Sequence, residues 1–222
     1  IRAAGKEKPG IADVDIYKFV NYEAGKMVTA SPRTSEGLPE FGTSVLVNLM
    51  DWYGVLPARN FQQGGYEHAE EISGERLKDE YLQKRGACWS CPIGCKRVTK
   101  VGDEKGEGPE YESIYALGSS LDIHNFDTII SANYLCNRLG MDTISCGATI
   151  ACAMELQEKG KLDTDLAFGR DDLLLKTVED VAYRRGLGDE IAEGSKRLSE
   201  RYELPEVAMQ VKGLEFPAYD PR

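Results

Sequence analysis

The stretch NFDTIISANYLCNRLGMDTISCGATIACAMELQEKG, residues 125–160, indicates most clearly which kind of fold this chain adopts. Its apolar residues from Phe126 to Leu139 recur at three- and four-residue steps, which is the period of one face of an α-helix. Gly140 suits the left-handed position that often ends a helix, and Asp142 suits the N-cap of a second helix that runs to about Lys159. The stretch therefore predicts two consecutive helices joined by a short turn.

Working outward from this stretch, the same helical period recurs along most of the chain. Apolar spacing and capping residues predict further helices that begin near Asp13, Ser44, Ser73, Pro109, Asp171 and Asp189. Strict two-residue alternation, which indicates a strand, is nearly absent. The sequence therefore predicts an all-α, multihelical domain of about seven to eight helices.

Three segments between the helices are predicted to be irregular. Residues 1–12 are polar and contain glycine and proline, so they are interpreted as an N-terminal linker. The helix from Ser73 is expected to run to about Lys84 and to end at Gly86, which leads into an ordered loop that carries cysteines. A basic patch (Lys96, Arg97, Lys100) and a glycine-rich turn at 102–108 follow that loop.

Composition excludes several classes of function. The chain has 222 residues, which suffices to bury a core as one domain or two small ones. It carries 27 Lys and Arg against 37 Asp and Glu, and the net charge of −10 argues against nucleic acid as a partner. No apolar run approaches the roughly 18 residues of a membrane span, and no secretory signal opens the chain. Its six cysteines are typical of a reducing compartment, so a cytoplasmic location is expected.

Three of the cysteines lie close together in the segment Cys88-Trp-Ser-Cys91-Pro-Ile-Gly-Cys95. Thiolates at such spacing usually bind zinc or an iron–sulfur cluster. Zinc prefers a closed tetrahedral site, and no second CxxC or HxxxH stands nearby to complete one. Ordinary thiols that pack as small hydrophobes are the alternative interpretation. The segment is predicted to hold a metal site, with iron–sulfur and zinc both left open.

Three segments together resemble the family of tungsten- or molybdenum-pterin aldehyde ferredoxin oxidoreductases. They are RGACWSCPIGCKR at 85–97, GPEYESIYALGSSL at 108–121 and NRLGMDTIS at 137–145. The closing KGLEFPAYDPR at 212–222 is also similar to that family, and the spacing between the segments is kept. The resemblance implies that residues 1–222 are the helical middle domain of a longer enzyme. Its N-terminal pterin-base domain and C-terminal helical domain would lie outside this sequence.

The resemblance implies ligands for two redox groups. In the family, four thiolates hold a [4Fe–4S] cluster; three match this chain, and the fourth belongs to a DxxGLC motif of the C-terminal domain. A DxxGLD motif binds the pterin in the family, and here Asn137 replaces its first aspartate. The implied residues are Cys88, Cys91 and Cys95 for the cluster and Asn137, Met141 and Asp142 for the pterin. The remaining cysteines, Cys136, Cys146 and Cys152, match neither motif and are interpreted as small residues in helix packing.

Glu112 matches the glutamate that the family places beside the metal, which implies a catalytic role in proton transfer. The alternative is a solvated carboxylate that the positive end of a helix stabilises. With the covering domain outside this sequence, we expect Glu112 to be exposed. His68 and His124, the two histidines of the chain, are interpreted as ordinary surface or loop residues, and the family's intersubunit iron site is not predicted.

The function that the resemblance implies is that of an oxidoreductase fragment. The whole enzyme would oxidise aldehydes to carboxylic acids and pass electrons through the [4Fe–4S] cluster to ferredoxin, with tungsten or molybdenum bis-pterin carrying the redox chemistry. The alternative function is a zinc-stabilised helical interaction module without catalysis. The sequence specifies neither the aldehyde nor the choice of metal.

The implied partners are ferredoxin, an aldehyde, the remaining domains of the same enzyme and, as a further option, a second copy of the chain. The isolated chain is expected to be inactive, because the fourth thiolate and the pterin-base domain would be missing. Faces that contact those domains are expected as apolar patches. The loop 56–65 and the segment 137–153 are the places where we expect them.

Overall fold

The computed structural model describes residues 10–222, which form a mostly helical body with three small antiparallel sheets. The predicted linker falls mainly on residues 1–9, which lie outside the described part. The α-helices are α1 Val14–Ala30, α2 Leu38–Phe41, α3 Leu46–Trp52, α4 Gly74–Arg76, α5 Tyr111–Leu117, α6 Phe126–Leu139, α7 Thr143–Glu158, α8 Asp171–Ala182, α9 Leu187–Ile191 and α10 Ser195–Arg201. The strands are β1 Pro57–Ala58, β2 Gln63–Gly64, β3 Leu82–Gly86, β4 Lys96–Val101, β5 Glu104–Glu107, β6 Gln210–Val211 and β7 Leu214–Glu215.

Helices α6 and α7 confirm the prediction made from residues 125–160. Asn125 caps α6 by accepting a hydrogen bond from the backbone N–H of Thr128 at 3.4 Å. Gly140 ends α6 in the left-handed region with φ of 70°. Asp142 caps α7, because its carboxylate accepts a hydrogen bond from the N–H of Ser145 at 2.7 Å. The turn between the two helices is therefore fixed by its own sequence.

Helix α7 is the centre of the core. Every residue from Cys146 to Leu156 is buried, so this helix is enclosed on all sides instead of showing one apolar stripe. It packs against α5 and α10, while α6 packs against α8. A Cβ atom at Gly147 would lie 2.2 Å from the carbonyl oxygen of Ala116, so only glycine permits the close approach of α5.

A three-stranded antiparallel sheet of order β3-β4-β5 corrects the prediction of an all-α chain. Ser73 caps α4 as expected, but the helix changes to a wider turn at Leu77–Tyr81, and the chain is extended from Leu82. Gly86 therefore ends a strand and not a helix. The buried residues of β4 are Arg97 and Thr99, which are polar, and this is why no apolar alternation marked the strand.

The helix predicted from Asp189 to Tyr202 is two helices, α9 and α10. Gly194 separates them with φ of 88°, a conformation that glycine adopts without strain. The next residue, Ser195, donates hydrogen bonds from its N–H and its hydroxyl to Glu215 at 3.0 and 2.8 Å. The strand β7 therefore fixes the start of α10 through a side chain.

The predicted apolar contact faces are in the wrong places. In the loop 56–65, Leu56 and Phe61 are buried, and the segment 137–153 is buried from Cys146 onward. The largest group of exposed apolar side chains lies on α1 instead, a helix of 17 residues with no buried residue. None of the described helices is long and apolar enough to cross a membrane.

Candidate metal and cofactor site

The three clustered cysteines lie in the loop between β3 and β4, at one end of the three-stranded sheet. The side chain of Cys88 is exposed, those of Cys91 and Cys95 are partly buried, and all three thiols are free. The N–H of Cys91 donates to the carbonyl of Cys88 at 3.1 Å, which closes a turn. Ser90 and Gly94 take positive φ values of 59° and 69°, so the loop is tightly curved. This curvature keeps the three thiols on one local segment.

The side chain of Arg97 holds this loop against the helical body. Its guanidinium donates to the carbonyl oxygens of Gly94 and Cys95 in the loop, at 2.6 and 3.2 Å. It also donates to the carbonyl oxygens of Pro39 and Glu40 at 3.0 Å each. The sequence grouped Arg97 with a basic patch, yet its side chain is 2% exposed. Its burial, together with the positive charge of Arg85, lowers the pKa of Arg97.

A cavity of about 340 Å³ brings the two predicted ligand sets together. Cys88 and Cys95 line one side of it, and Asn137, Met141 and Asp142 line another. The first pair comes from the cysteine loop and the second set from the turn between α6 and α7. The structure thus places five of the six predicted cluster and pterin residues on one cavity, while Cys91 is not among its lining residues.

Several other residues line the cavity to which the sequence analysis assigned no role there. They come from the sheet, the start of α5, helix α6 and the start of α7, and their side chains are mostly polar or charged: Lys96, Glu107, Glu110, Ser113, Asn133 and Thr143. The hydroxyls of Ser113 and Thr143 are 2.8 Å apart. Lys96, Glu110, Ser113 and Thr143 lie in the segments that resemble the family. Glu107 and Asn133 lie outside those segments, so only the packing of the elements could reveal these two.

Electrostatics at the cavity favours the neutral thiol of Cys95 until a metal ion displaces its proton. Burial raises the pKa of Cys95 above its usual value, and the negative charge of Glu110 adds to this effect. Lys96 offsets part of the negative charge by pairing with Glu107. Binding of a metal ion must then release protons from the cysteines.

Glu112 differs from its expected state. It is the second residue of α5, is only partly exposed, and accepts a hydrogen bond from the N–H of Ala218 at 2.9 Å. The closing segment of the chain covers it, and Tyr111 reinforces that contact by donating from its hydroxyl to the carbonyl of Ala218 at 2.6 Å. Burial raises the pKa of Glu112 above its usual value. The prediction of an exposed Glu112 is therefore wrong, and Glu112 is not among the residues that line the cavity.

The three other cysteines are buried in helices away from the loop: Cys136 in α6, and Cys146 and Cys152 in α7. Burial raises the pKa of Cys152 to about 12, so this thiol stays protonated. Their positions agree with the interpretation as small residues in helix packing.

Residues 20–222 match the family model described as aldehyde ferredoxin oxidoreductase, domains 2 & 3. This chain belongs to the aldehyde ferredoxin oxidoreductase family. It is 46% identical, over the whole chain, to the tungsten-containing aldehyde ferredoxin oxidoreductase of Thermococcus kodakarensis and 45% identical to that of Pyrococcus furiosus. The chain spans 38% of the length of each of these relatives. The resemblance found in its motifs is thereby confirmed.

More distant relatives extend the comparison. The WOR-like subunit of the aliphatic sulfonate oxidoreductase of Pyrococcus furiosus is 28% identical to this chain over 73% of the chain's length. A solved structure, the active site complex BamBC of benzoyl coenzyme A reductase with 1,5-dienoyl-CoA, superposes with a TM-score of 0.69. That match covers 92% of this chain and 34% of the other at 16% identity, so it shows a shared fold.

Proposed function

We propose that residues 1–222 are the helical middle domain of an enzyme that oxidises aldehydes to carboxylic acids and passes the electrons to ferredoxin. The observation that carries the proposal is the cavity of about 340 Å³ that both predicted ligand sets line. An electron-transfer cluster must lie close to the redox cofactor, and a shared cavity supplies that proximity. Family membership supports the reaction class.

Cys88, Cys91 and Cys95 would hold three irons of a [4Fe–4S] cluster. The curved loop supports this assignment, because it keeps the three thiols on one short segment. The guanidinium of Arg97 supports it as well, because its hydrogen bonds to the carbonyl oxygens of Gly94 and Cys95 hold the loop in place. The fourth ligand would come from the C-terminal domain of the same enzyme.

Asn137, Met141 and Asp142 would bind the pterin at the turn between α6 and α7. One carboxylate oxygen of Asp142 caps α7. Its other oxygen and the amide of Asn137, which is exposed, remain suited to the polar edge of a pterin ring. When bound, tungsten or molybdenum bis-pterin supplies two-electron redox chemistry. The protein would hold and orient that group.

Glu112 would move a proton in the reaction. Conversion of an aldehyde to a carboxylic acid takes up one water molecule and releases two electrons and two protons. A carboxylate whose pKa is raised toward neutral pH accepts and returns a proton most readily, and burial of Glu112 shifts its pKa in that direction. The neighbouring Ser113 lines the cavity, which supports a position of the cofactor near the start of α5.

The experiment that tests the cluster uses the full-length enzyme, purified without oxygen. Cys91→Ser should lose most of its iron and the broad absorption near roughly 400 nm that iron–sulfur clusters give. Cys152→Ser is the matched control, because its thiol is buried in α7 away from the loop, and it should keep both. Metal analysis and absorption spectra provide the measurement.

Two outcomes would contradict the proposal. Zinc in place of iron in the wild-type protein would favour the non-catalytic interaction module. Unchanged iron content in Cys91→Ser would remove the cysteine loop from the cluster. An aldehyde panel measured with a ferredoxin as electron acceptor would then test the reaction itself, since an enzyme that holds the cluster but oxidises no aldehyde would refute the substrate class.

A further inference from the structure

A second group of potential metal ligands lies outside the cysteine loop. His68 immediately precedes the short 3₁₀ helix Ala69–Ile72, which contains Glu71, and His124 precedes α6. One ligating atom from each of His68, Glu71 and His124 lies within 4.8 Å of the other two. Among the described residues, no other three histidine, cysteine or acidic side chains converge in this way. From the sequence alone, both histidines were interpreted as ordinary surface or loop residues without a metal-binding role.

The contacts within this group are close and specific. The Nδ1 atom of His68 is 2.7 Å from a carboxylate oxygen of Glu71. The rings of His68 and His124 are stacked, with centroids 4.1 Å apart and planes inclined by 24°. A carboxylate oxygen of Glu67 lies 3.4 Å from the other nitrogen of His68. Ligating atoms of the two imidazoles and of Glu71 therefore lie close together, whereas Glu67 lies at the other nitrogen of His68 and outside this group.

The backbone on both sides of the group is fixed independently of any ion. The N–H of Tyr66 donates to the carboxylate of Asp51 at 2.6 Å, and the N–H of Glu71 donates to the carbonyl of His68 at 3.0 Å. On the other segment, the N–H of Ile123 donates to the carbonyl of Gly118 at 3.0 Å. The ligands therefore need only side-chain rotation to change their spacing.

Imidazole nitrogen with carboxylate oxygen is a ligand set that suits zinc and the neighbouring divalent transition metals. A tetrahedral ion with bonds of about 2.0 Å holds its nitrogen and oxygen ligands about 3.3 Å apart. Because the three atoms lie within 4.8 Å of one another, each pair must approach by at most about 1.5 Å, which is within the reach of partly exposed side chains. The side chain of His68 is 32% exposed, so water can complete the coordination.

We propose that His68, Glu71 and His124 bind a divalent transition-metal ion of the zinc type, which links the turn before Ala69–Ile72 to the turn before α6. The site is separate from the cysteine loop and does not depend on the proposed reaction. Its role is to join two segments that are distant in sequence, so the bound ion stabilises the folded state by mass action.

Zinc binding to the full-length enzyme, with its other metals in place, tests the proposal. Equilibrium dialysis against zinc at micromolar concentrations should show one more bound zinc per chain in the wild type than in His124→Ala. Glu71→Gln should bind this zinc at least tenfold more weakly. Glu70→Gln is the matched control, because Glu70 is an exposed neighbour in the same turn outside the group, and it should behave as wild type.

Anomalous scattering at the zinc edge, from crystals soaked in zinc chloride, locates the ion. A peak between His68, Glu71 and His124 that disappears in Glu71→Gln supports the site. Equal zinc content in the wild type and both variants would overturn the proposal. An anomalous peak in the soaked crystals would not rescue it if dialysis showed no difference between the wild type and the variants. Either variant suffices, so a folding defect in one still leaves the comparison with the other.

Discussion

Arg97 connects the cysteine loop to the helical body through one side chain. The guanidinium offers several N–H groups in a fixed plane, and four carbonyl oxygens from two segments accept them. Lysine has a single ammonium group and could not reach both segments in this way. The loop therefore depends on Arg97, a residue that is not itself a predicted ligand of the cluster or the pterin.

Replacement of Arg97 by methionine should destabilise the protein by about 2–4 kcal/mol, because four partly buried hydrogen bonds to carbonyl oxygens are lost at once. The matched control is Lys100→Met, on the exposed side of the same strand, which should change stability by less than about 0.5 kcal/mol. Thermal or urea unfolding measures both variants. Equal stabilities of the two variants would show that Arg97 does not anchor the loop.

Glu112→Gln in the full-length enzyme should lower kcat by about 10²- to 10⁴-fold, provided that the metal contents are unchanged. Because the folded-state pKa of Glu112 is raised, the folded protein binds its proton more tightly than the unfolded chain does. The wild type therefore loses stability as pH rises from the usual value of 4.5 through the folded pKa, whereas the glutamine variant does not.

Unfolding midpoints of the wild type and Glu112→Gln on both sides of this interval check the sign. The variant should gain stability relative to the wild type as pH rises. A constant difference between the two proteins would contradict the raised pKa, and a kcat within about threefold of wild type would remove Glu112 from proton transfer.

At the scale of elements, the contact between α5 and α7 sets the geometry of the cavity, because both helices contribute lining residues at their starts. Gly147 permits this contact, since a Cβ atom there would overlap the carbonyl oxygen of Ala116. Gly147→Ala should therefore destabilise the protein by about 1–3 kcal/mol through overpacking, although alanine is the better helix former.

The control for this substitution is Gly25→Ala in α1. No atom lies within 4 Å of the Cβ that alanine would add at Gly25, so this change should be neutral or stabilise by up to about 1 kcal/mol. The changes in unfolding free energy that the two substitutions cause, relative to the wild type, should differ in sign or clearly in size. If both were neutral, the close approach of α5 and α7 would not be required.

The sheet β3-β4-β5 shows how an element can escape prediction. Its central strand buries Arg97 and Thr99 instead of apolar residues, and the hydroxyls of Thr99 and Tyr134 are 2.7 Å apart. A polar side chain is stable in such a position only when it finds partners on other elements. Those partners lie far away in sequence, so the pattern within the strand could not indicate it.

At the scale of the whole molecule, α1 is the feature that most needs a partner. Its apolar side chains are exposed, among them Phe19, Tyr22 and Met27, with 65, 66 and 74% of their surface accessible. If the chain is a domain of a longer enzyme, this helix would contact another domain. Exposed apolar surface of this kind otherwise promotes association.

The isolated chain should therefore self-associate at micromolar concentration, and Phe19→Glu with Met27→Glu should shift it toward monomer. Tyr183→Glu, which changes a residue of similar exposure beyond the end of α8, is the control and should leave the association unchanged. Sedimentation velocity measures the outcome. A monomeric wild-type chain would show that the exposed apolar side chains of α1 do not drive association.

The sequence by itself determined what depends on neighbouring residues. The caps at Asp13 and Asp142 and the stop at Gly140 were predicted because a cap bonds the backbone within its own turn. The family was also determined by local motifs, and the comparisons confirm it. These features follow from interactions between residues that are close along the chain.

Only the tertiary structure decided what depends on distant residues. It brought Cys88 and Cys95 to the same cavity as Asn137 and Asp142, covered Glu112 with the closing segment, and placed His68 beside His124. The physical reason is shared by all three cases. Burial and close approach arise from packing between elements, and packing depends on the whole core and not on any single stretch of sequence.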